Sequence, residues 1–118
     1  MTTREIANRL YELCSQGQFE TAQQELFATN ATSTEKNMQG ELVTVSGIDA
    51  IKEKGRHFQS MIVERHGGSI KEPSVFGNNI FMELGLDATM KDIGRMDMQE
   101  MCAYEVKDGK IVSERFFY

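Results

Sequence analysis

The chain has 118 residues, 40% of them apolar and 26% charged, with a formal net charge of −5. That length supports one folding unit over residues 1–118 that can bury a core without disulfide or metal, and its outnumbered, scattered bases argue against nucleic-acid binding. The two cysteines, Cys14 and Cys102, sit among apolar neighbours and read as free buried thiols. No basic start followed by an apolar run marks a leader at Met1–Glu5. The longest apolar run, Met101–Tyr104, is far too short to cross a bilayer, so a cytoplasmic protein is expected.

In chain order, Thr2-x-x-Glu5 has capping-box spacing, and Ile6, Leu10, Leu13 and Cys14 follow at helical intervals. Gly17 suits the position just past a helix end. A second short helix places Phe19, Ala22 and Leu26 on one face and frays into Thr29–Thr32. Ala31–Asn37 reads as a strand, Met38–Glu41 as a turn and Leu42–Val45 as a brief extended segment. Ser46-x-x-Asp49 again has capping spacing and opens a third helix with the stripe Ile48, Ile51, Gly55, Phe58 and Ile62, ending before His66.

From Ser69 onward the apolar period changes to two. Ser69–Phe76 forms one strand, with Pro73 at an edge or bulge. Gly77-Asn78-Asn79 turns the chain. Ile80, Met82, Leu84, Leu86, Ala88 and Met90 then share one face of the next strand. After a turn at Asp92–Gly94, Met96, Met98, Cys102, Tyr104 and Val106 share a face, and Asp108-Gly109 closes the last hairpin. Helices first and an antiparallel meander last predict an α+β fold: N-terminal helices packed on a strongly curved, mostly antiparallel sheet, a cone with an internal cavity. Five of the eight methionines lie in the predicted strands, which suits a deformable cavity wall as well as a plain core. Phe81, Met101 and one of Phe116 and Phe117 fall on the outer sheet face, a surface suited to a homodimer.

The chain resembles the SnoaL-like branch of the nuclear transport factor 2-like superfamily, whose fold is the cystatin-like α+β cone. The resemblance rests on Gln16-Gly17-Gln18-Phe19, Phe27-Ala28-Thr29-Asn30-Ala31, Gly47-Ile48-Asp49-Ala50-Ile51 and Asp108-Gly109-Lys110-Ile111-Val112, in that order along the whole chain. It implies a cavity for a small hydrophobic molecule, homodimers through the sheet, and either cofactor-independent isomerase, cyclase or dehydratase chemistry or binding without catalysis. The isomerase branch uses a carboxylate on the first strand, a Tyr on the first helix and an acid on a later strand. Those positions fall here on Glu35, Leu10 and Cys102, with Tyr11 one residue away from the second, so one group of three is retained.

Glu100 is a candidate from the residues themselves. It shares the register of Met98, Cys102 and Tyr104, so strict alternation turns it toward the helices, where an unpaired carboxyl would be driven neutral. A raised pKa is what a general acid or base near neutrality requires. A bulge at Gln99–Glu100 would turn it to solvent instead. The expected site therefore has Glu100 and Glu35 as proton-transfer groups, with Tyr11, Phe58, Met82, Met98, Cys102 and Tyr104 lining the ligand. His57, His66 and Arg115 are of second rank: His66 as the cap of the third helix, Arg115 as a partner of Glu100, Glu105 or an anion. No metal-ligand spacing and no phosphate-binding loop is present, so no metal or cofactor is expected. Two readings stay open: a small proton-transfer enzyme, and a non-catalytic ligand-binding or dimerisation module.

Overall fold

The computed structural model describes all 118 residues. Helix α1 (Thr3–Ser15) opens with the expected capping box: the Thr2 hydroxyl accepts from the Glu5 amide, and the Glu5 carboxylate accepts from the Thr2 amide. Helix α2 (Phe19–Leu26) follows, and Gly17 between them takes φ +73°, which a side chain would resist. Strand β1 (Phe27–Lys36) begins directly after α2, four residues earlier than the Ala31 start that the sequence suggests. Phe27 is buried and caps the helix in extended geometry, so the chain passes from helix to sheet without fraying.

Strand β2 (Leu42–Ser46) returns antiparallel to β1, and helix α3 (Ile48–Ser60) starts behind it. Ser46 does not cap α3. It stays in β2, while Gly47 at φ +94° is the cap position and no side chain serves it. Helix α3 is also shorter than its apolar stripe, because Ile62 already belongs to strand β3 (Ile62–Ile70). His66 is therefore a strand residue rather than a helix cap, with Nε2 2.7 Å from the Thr89 hydroxyl. The expected Ser69–Phe76 strand is split, since Lys71–Pro73 separate β3 from the short β4 (Ser74–Phe76). Pro73 lacks the N–H a continuous ladder would need.

Strands β5 (Asn79–Met90), β6 (Gly94–Lys107) and β7 (Lys110–Phe117) complete a seven-stranded sheet with the order β2-β1-β7-β6-β5-β3, β4 pairing separately with β5. All pairings are antiparallel except β1 with β7. The sheet does not close into a barrel: β2 and β3 are its edges. Three helices cover one face, and the core of Ile6, Leu10, Leu13, Leu26, Ile51, Ile80, Met82, Cys102 and Ile111 lies between. The expected alternation on β5 and β6 is obeyed, with Ile80, Met82, Ala88, Cys102, Tyr104 and Val106 all buried.

Two bidentate guanidinium clamps tie the helices together. Arg9 holds Glu25 at 2.6 and 2.9 Å, and Arg56 holds Glu20 at 2.8 and 3.0 Å. Both are at the surface, where such pairs contribute little stability. No helix is long and apolar enough to cross a membrane.

Candidate functional site

The inner face of the sheet is not uniformly apolar. Strand β6 carries Met98, Glu100, Cys102 and Tyr104 inward in strict alternation, so no bulge intervenes at Gln99–Glu100 and the carboxyl enters the cone. Glu100 is half-buried, opposite Leu84 on β5, and its Oε1 lies 3.8 Å from the Cys102 thiol. Burial raises its pKa above the ordinary carboxylate value, and nearby Glu35 adds to that rise, while Cys102 and Lys54 oppose it.

Strand β7 contributes a second inward acid that simple alternation hides. Starting from the buried Ile111, alternation would face Ser113 inward and Glu114 out. The β6–β7 register instead slips between Glu105 and Val106, leaving Val112 as an extra residue. Past that bulge Glu114 and Phe116 point to the helices, and Glu114 is only 4% exposed. Desolvation pushes its pKa up to about 7, against the pull of the Ser33 hydroxyl and Lys54. Strand β1 adds Ser33, fully buried and paired in register with Glu114, and Glu35 two residues on.

Helix α3 supplies the one cation. Lys54 stands three residues after Ile51 and four before Phe58, on the stripe that faces the sheet. Its Nζ donates to Ser33 Oγ at 2.6 Å, ion-pairs with Glu35 Oε1 at 3.0 Å, and lies 5.2 Å from the centre of the Phe116 ring. The electropositive ammonium over an aromatic face adds a cation–π attraction. A lysine thus stands among three glutamates inside the cone, with Phe116 beneath it. Tyr118 folds across the same end. Its hydroxyl donates to the Lys36 carbonyl, and burial and the neighbouring Glu35 and Glu100 charges raise its pKa.

The structure brings Glu35, Glu100, Cys102 and Tyr104 into one neighbourhood. Tyr104 is buried edge-on against Phe27, with ring centres 6.4 Å apart, and its phenol is pushed well above its usual pKa by burial. The Cys102 thiol is raised by burial as well, and Cys14 rises to about 12. Both thiols therefore stay protonated and unreactive at neutral pH. Met82 is in the core, Met98 and Tyr11 are half-buried, and Phe58, in the last turn of α3, is 41% exposed. Arg115 meets neither Glu100 nor Glu105: it lies on the outer face with its guanidinium 4.7 Å from the centre of the Phe117 ring. His57 is exposed near the end of α3.

Sequence reasoning missed Lys54, Ser33 and Glu114. Lys54 was findable, because it occupies a stripe position, and Ser33 shares the parity of Glu35. Glu114 had no local signal, since the bulge that turns it inward forms only when β7 pairs with β6.

Two concavities stand out. A cleft of about 60 Å³ lies where β1 and β7 end, walled by Lys36, Leu42, Arg115, Phe116, Phe117 and Tyr118. An open polar depression separates α2 from α3 around Glu20, Gln24 and Lys52. The first adjoins the acid cluster through Phe116 and Tyr118. It has room for a few water molecules, whereas an organic ligand takes on the order of 300 Å³ or more. A guest of that size has to displace flexible side chains at the mouth.

Helices over a curved sheet, with acids on the inner face, define the class as an α+β cone. The SnoaL-like domain model matches residues 1–118, and the chain belongs to that family. It is similar over 100% of both chains to the structure of a protein described as a candidate SnoaL-like polyketide cyclase from Mesorhizobium loti, with 37% identity and a TM-score of 0.91. A second protein so described, from Jannaschia, shares the fold at 14% identity and a TM-score of 0.75, over 98% of this chain and 83% of its own. A nuclear transport factor 2-like protein of unknown function from Burkholderia pseudomallei does so at 17% identity and a TM-score of 0.76, over 100% of this chain and 92% of its own. No curated protein matches the chain.

Proposed function

We propose that the protein binds a small, largely hydrophobic molecule at the mouth of the cone and moves a proton to or from it through Glu100. One observation carries this reading: a desolvated carboxyl stands on the inner face between Met98 and Cys102, where the exposed half of β6 gives way to its buried half. Burial holds the pKa of a carboxyl so placed above its ordinary value, the direction in which a group that both gives and takes a proton near neutrality has to move. Met98 and the half-buried Leu84 and Leu86 supply an apolar wall, and thioether side chains adapt to guests of different shape. Isomerisation, aldol-type cyclisation and dehydration are the reactions that such a group serves without a cofactor. Glu35, held by Lys54, acts beside Glu100 as a charged neighbour.

The test uses the single Glu100→Gln substitution, which removes the titrating proton and keeps the shape. NMR titration of the wild type is expected to show one carboxyl at this site with a midpoint clearly above that of a free glutamate. Glu100→Gln is expected to retain binding of hydrophobic ligands by thermal shift and to lose turnover of carbonyl substrates at least 100-fold, the scale of general acid–base catalysis. A Glu100 that titrates like free glutamate would end this reading.

A second reading, a non-catalytic ligand-binding or dimerisation module, is favoured in its dimerisation form by the small size of the mouth cleft and by the outer face of the sheet. There Phe81, Met101 and Phe117 stand 39%, 39% and 47% exposed, with Met101 and Phe117 paired across β6 and β7. Such a row suits an isologous contact between two copies. A homodimer assembled through this face, working in the cytoplasm, fits either reading.

A further inference from the structure

Lys54 does more than neutralise a neighbour. Its ammonium has three protons. One goes to Ser33 Oγ at 2.6 Å and one to Glu35 at 3.0 Å. A Ser33 oxygen that accepts from Lys54 keeps its own hydroxyl proton free, and the residue paired with Ser33 in the β1–β7 ladder is Glu114. Ser33 is 0% exposed and Glu114 4% exposed, so bulk water is a poor competitor for a bond between the two side chains. The bulge at Val112, which alone turns Glu114 inward, gives the carboxyl its place in the chain of contacts.

We propose that Lys54 is a positioning residue: through Ser33 it orients a hydroxyl onto Glu114, and by its charge it sets the pH at which the two inner acids Glu114 and Glu100 exchange protons with a guest. The proposal rests on the reading of Glu100 as the proton-transfer group and adds to it a second, deeper acid with a tuning device. Each element around Glu114 contributes a group to this balance. Cys14 comes from α1, Ser33 and Glu35 from β1, Lys54 from α3, Cys102, Tyr104 and Glu100 from β6. Lys54 is the only cation among them, against three carboxyls. Its two influences separate by route: Glu114 feels it by charge and through Ser33, whereas Glu100 feels it by charge alone. Lys54 lowers both acids, and the Ser33 hydroxyl lowers Glu114.

The experiment is a carboxyl-resolved NMR titration of the ligand-free protein as wild type, Lys54→Met, Lys54→Arg and Ser33→Ala. Lys54→Met is expected to move the midpoints of Glu114 and Glu100 upward together by about one pH unit, a tenfold gain in proton affinity. Lys54→Arg is expected to hold both near their wild-type positions. Ser33→Ala is expected to raise Glu114 and leave Glu100 within about 0.3 of wild type. Unmoved midpoints in a folded Lys54→Met protein overturn the proposal, as does a Ser33→Ala protein in which Glu114 does not move. Should Lys54→Met fail to fold, Ser33→Ala decides alone. No substrate is used, so a negative result here leaves the Glu100→Gln test standing, and loss of the Glu100 reading leaves these midpoints measurable.

Discussion

Glu114 places a carboxyl against Ser33, Tyr104 and Cys102 with almost no access to water, and its pKa of about 7 follows from that burial. The folded state therefore binds this proton more tightly than the unfolded chain does. Stability from the group is fully present below its ordinary value of 4.5 and is lost as pH rises through about 7. A rise of that size corresponds to about 3 kcal/mol, at 1.36 kcal/mol per pH unit. Glu100 is raised too and acts with the same sign. Urea denaturation at pH 5 and pH 8 should show wild type losing stability toward pH 8, and Glu114→Gln losing roughly 2–3 kcal/mol less over the same interval, since part of the effect already falls below pH 5. Identical losses in the two proteins would mean that the carboxyl is hydrated. The residues of this site differed in how openly the sequence displayed them. Glu100 stood out because its parity on β6 is unbroken, and Lys54, though passed over, was findable from its place between Ile51 and Phe58 on α3. Glu114 was not, because its direction depends on a register slip against another strand.

The elements best anticipated are those whose signals are local. The Thr2–Glu5 box, the alternation of Ile80 through Met90 and the Asp108-Gly109 turn involve neighbours within a few residues, and all three are present. At the last turn Asp108 takes φ 52° and Gly109 φ +76°, the paired left-handed geometry that matches the twist of a two-residue hairpin. Gly109→Ala should cost about 1 kcal/mol, read as a lower urea midpoint with an unchanged slope, because a Cβ is strained at that φ although it would meet the Met1 backbone only at an ordinary contact distance of 3.6 Å. The signals that misled were local ones overruled from a distance. Ser46 has the spacing of a helix cap, yet β2 pairs it with Thr32 of β1. Ile62 continues the helical stripe of α3, yet it pairs with Met90 at the start of β3. In both, ladder hydrogen bonds and burial against a neighbouring strand outweigh a cap or one further helical turn.

For the molecule as a whole, the open sheet has two faces with different chemistry. The inner one is covered by helices. The outer one presents Phe81, Met101 and Phe117, flanked by Glu83 and Arg115. If two copies associate through it, light scattering should give twice the monomer mass for wild type and the monomer mass for Met101→Glu/Phe117→Glu, with thermal unfolding of the variant becoming independent of concentration. A monomeric wild type at working concentration would remove the dimer from the proposed function and leave the inner-face acids untouched. The mouth cleft of about 60 Å³ bears on the same question, since the wall that must yield to a guest is formed by Phe116 and Tyr118 beside that outer face.

Periodicity, caps and turn residues along the chain were sufficient to define helices first and a curved antiparallel meander after them, and to single out the carboxyl at position 100, whose inward direction was left open against a bulge at Gln99–Glu100. These depend on contacts within a strand or a helical turn, which linear order encodes directly. The company that carboxyl keeps came from folding alone. Ser33, Lys54 and Glu114 are separated by 21 or more positions in the chain, and the parallel pairing of β1 with β7 and the slip at Val112 bring them together. Hydrogen-bond register between distant strands is set by the packing of the entire sheet against its helices, and no short stretch of sequence contains that information.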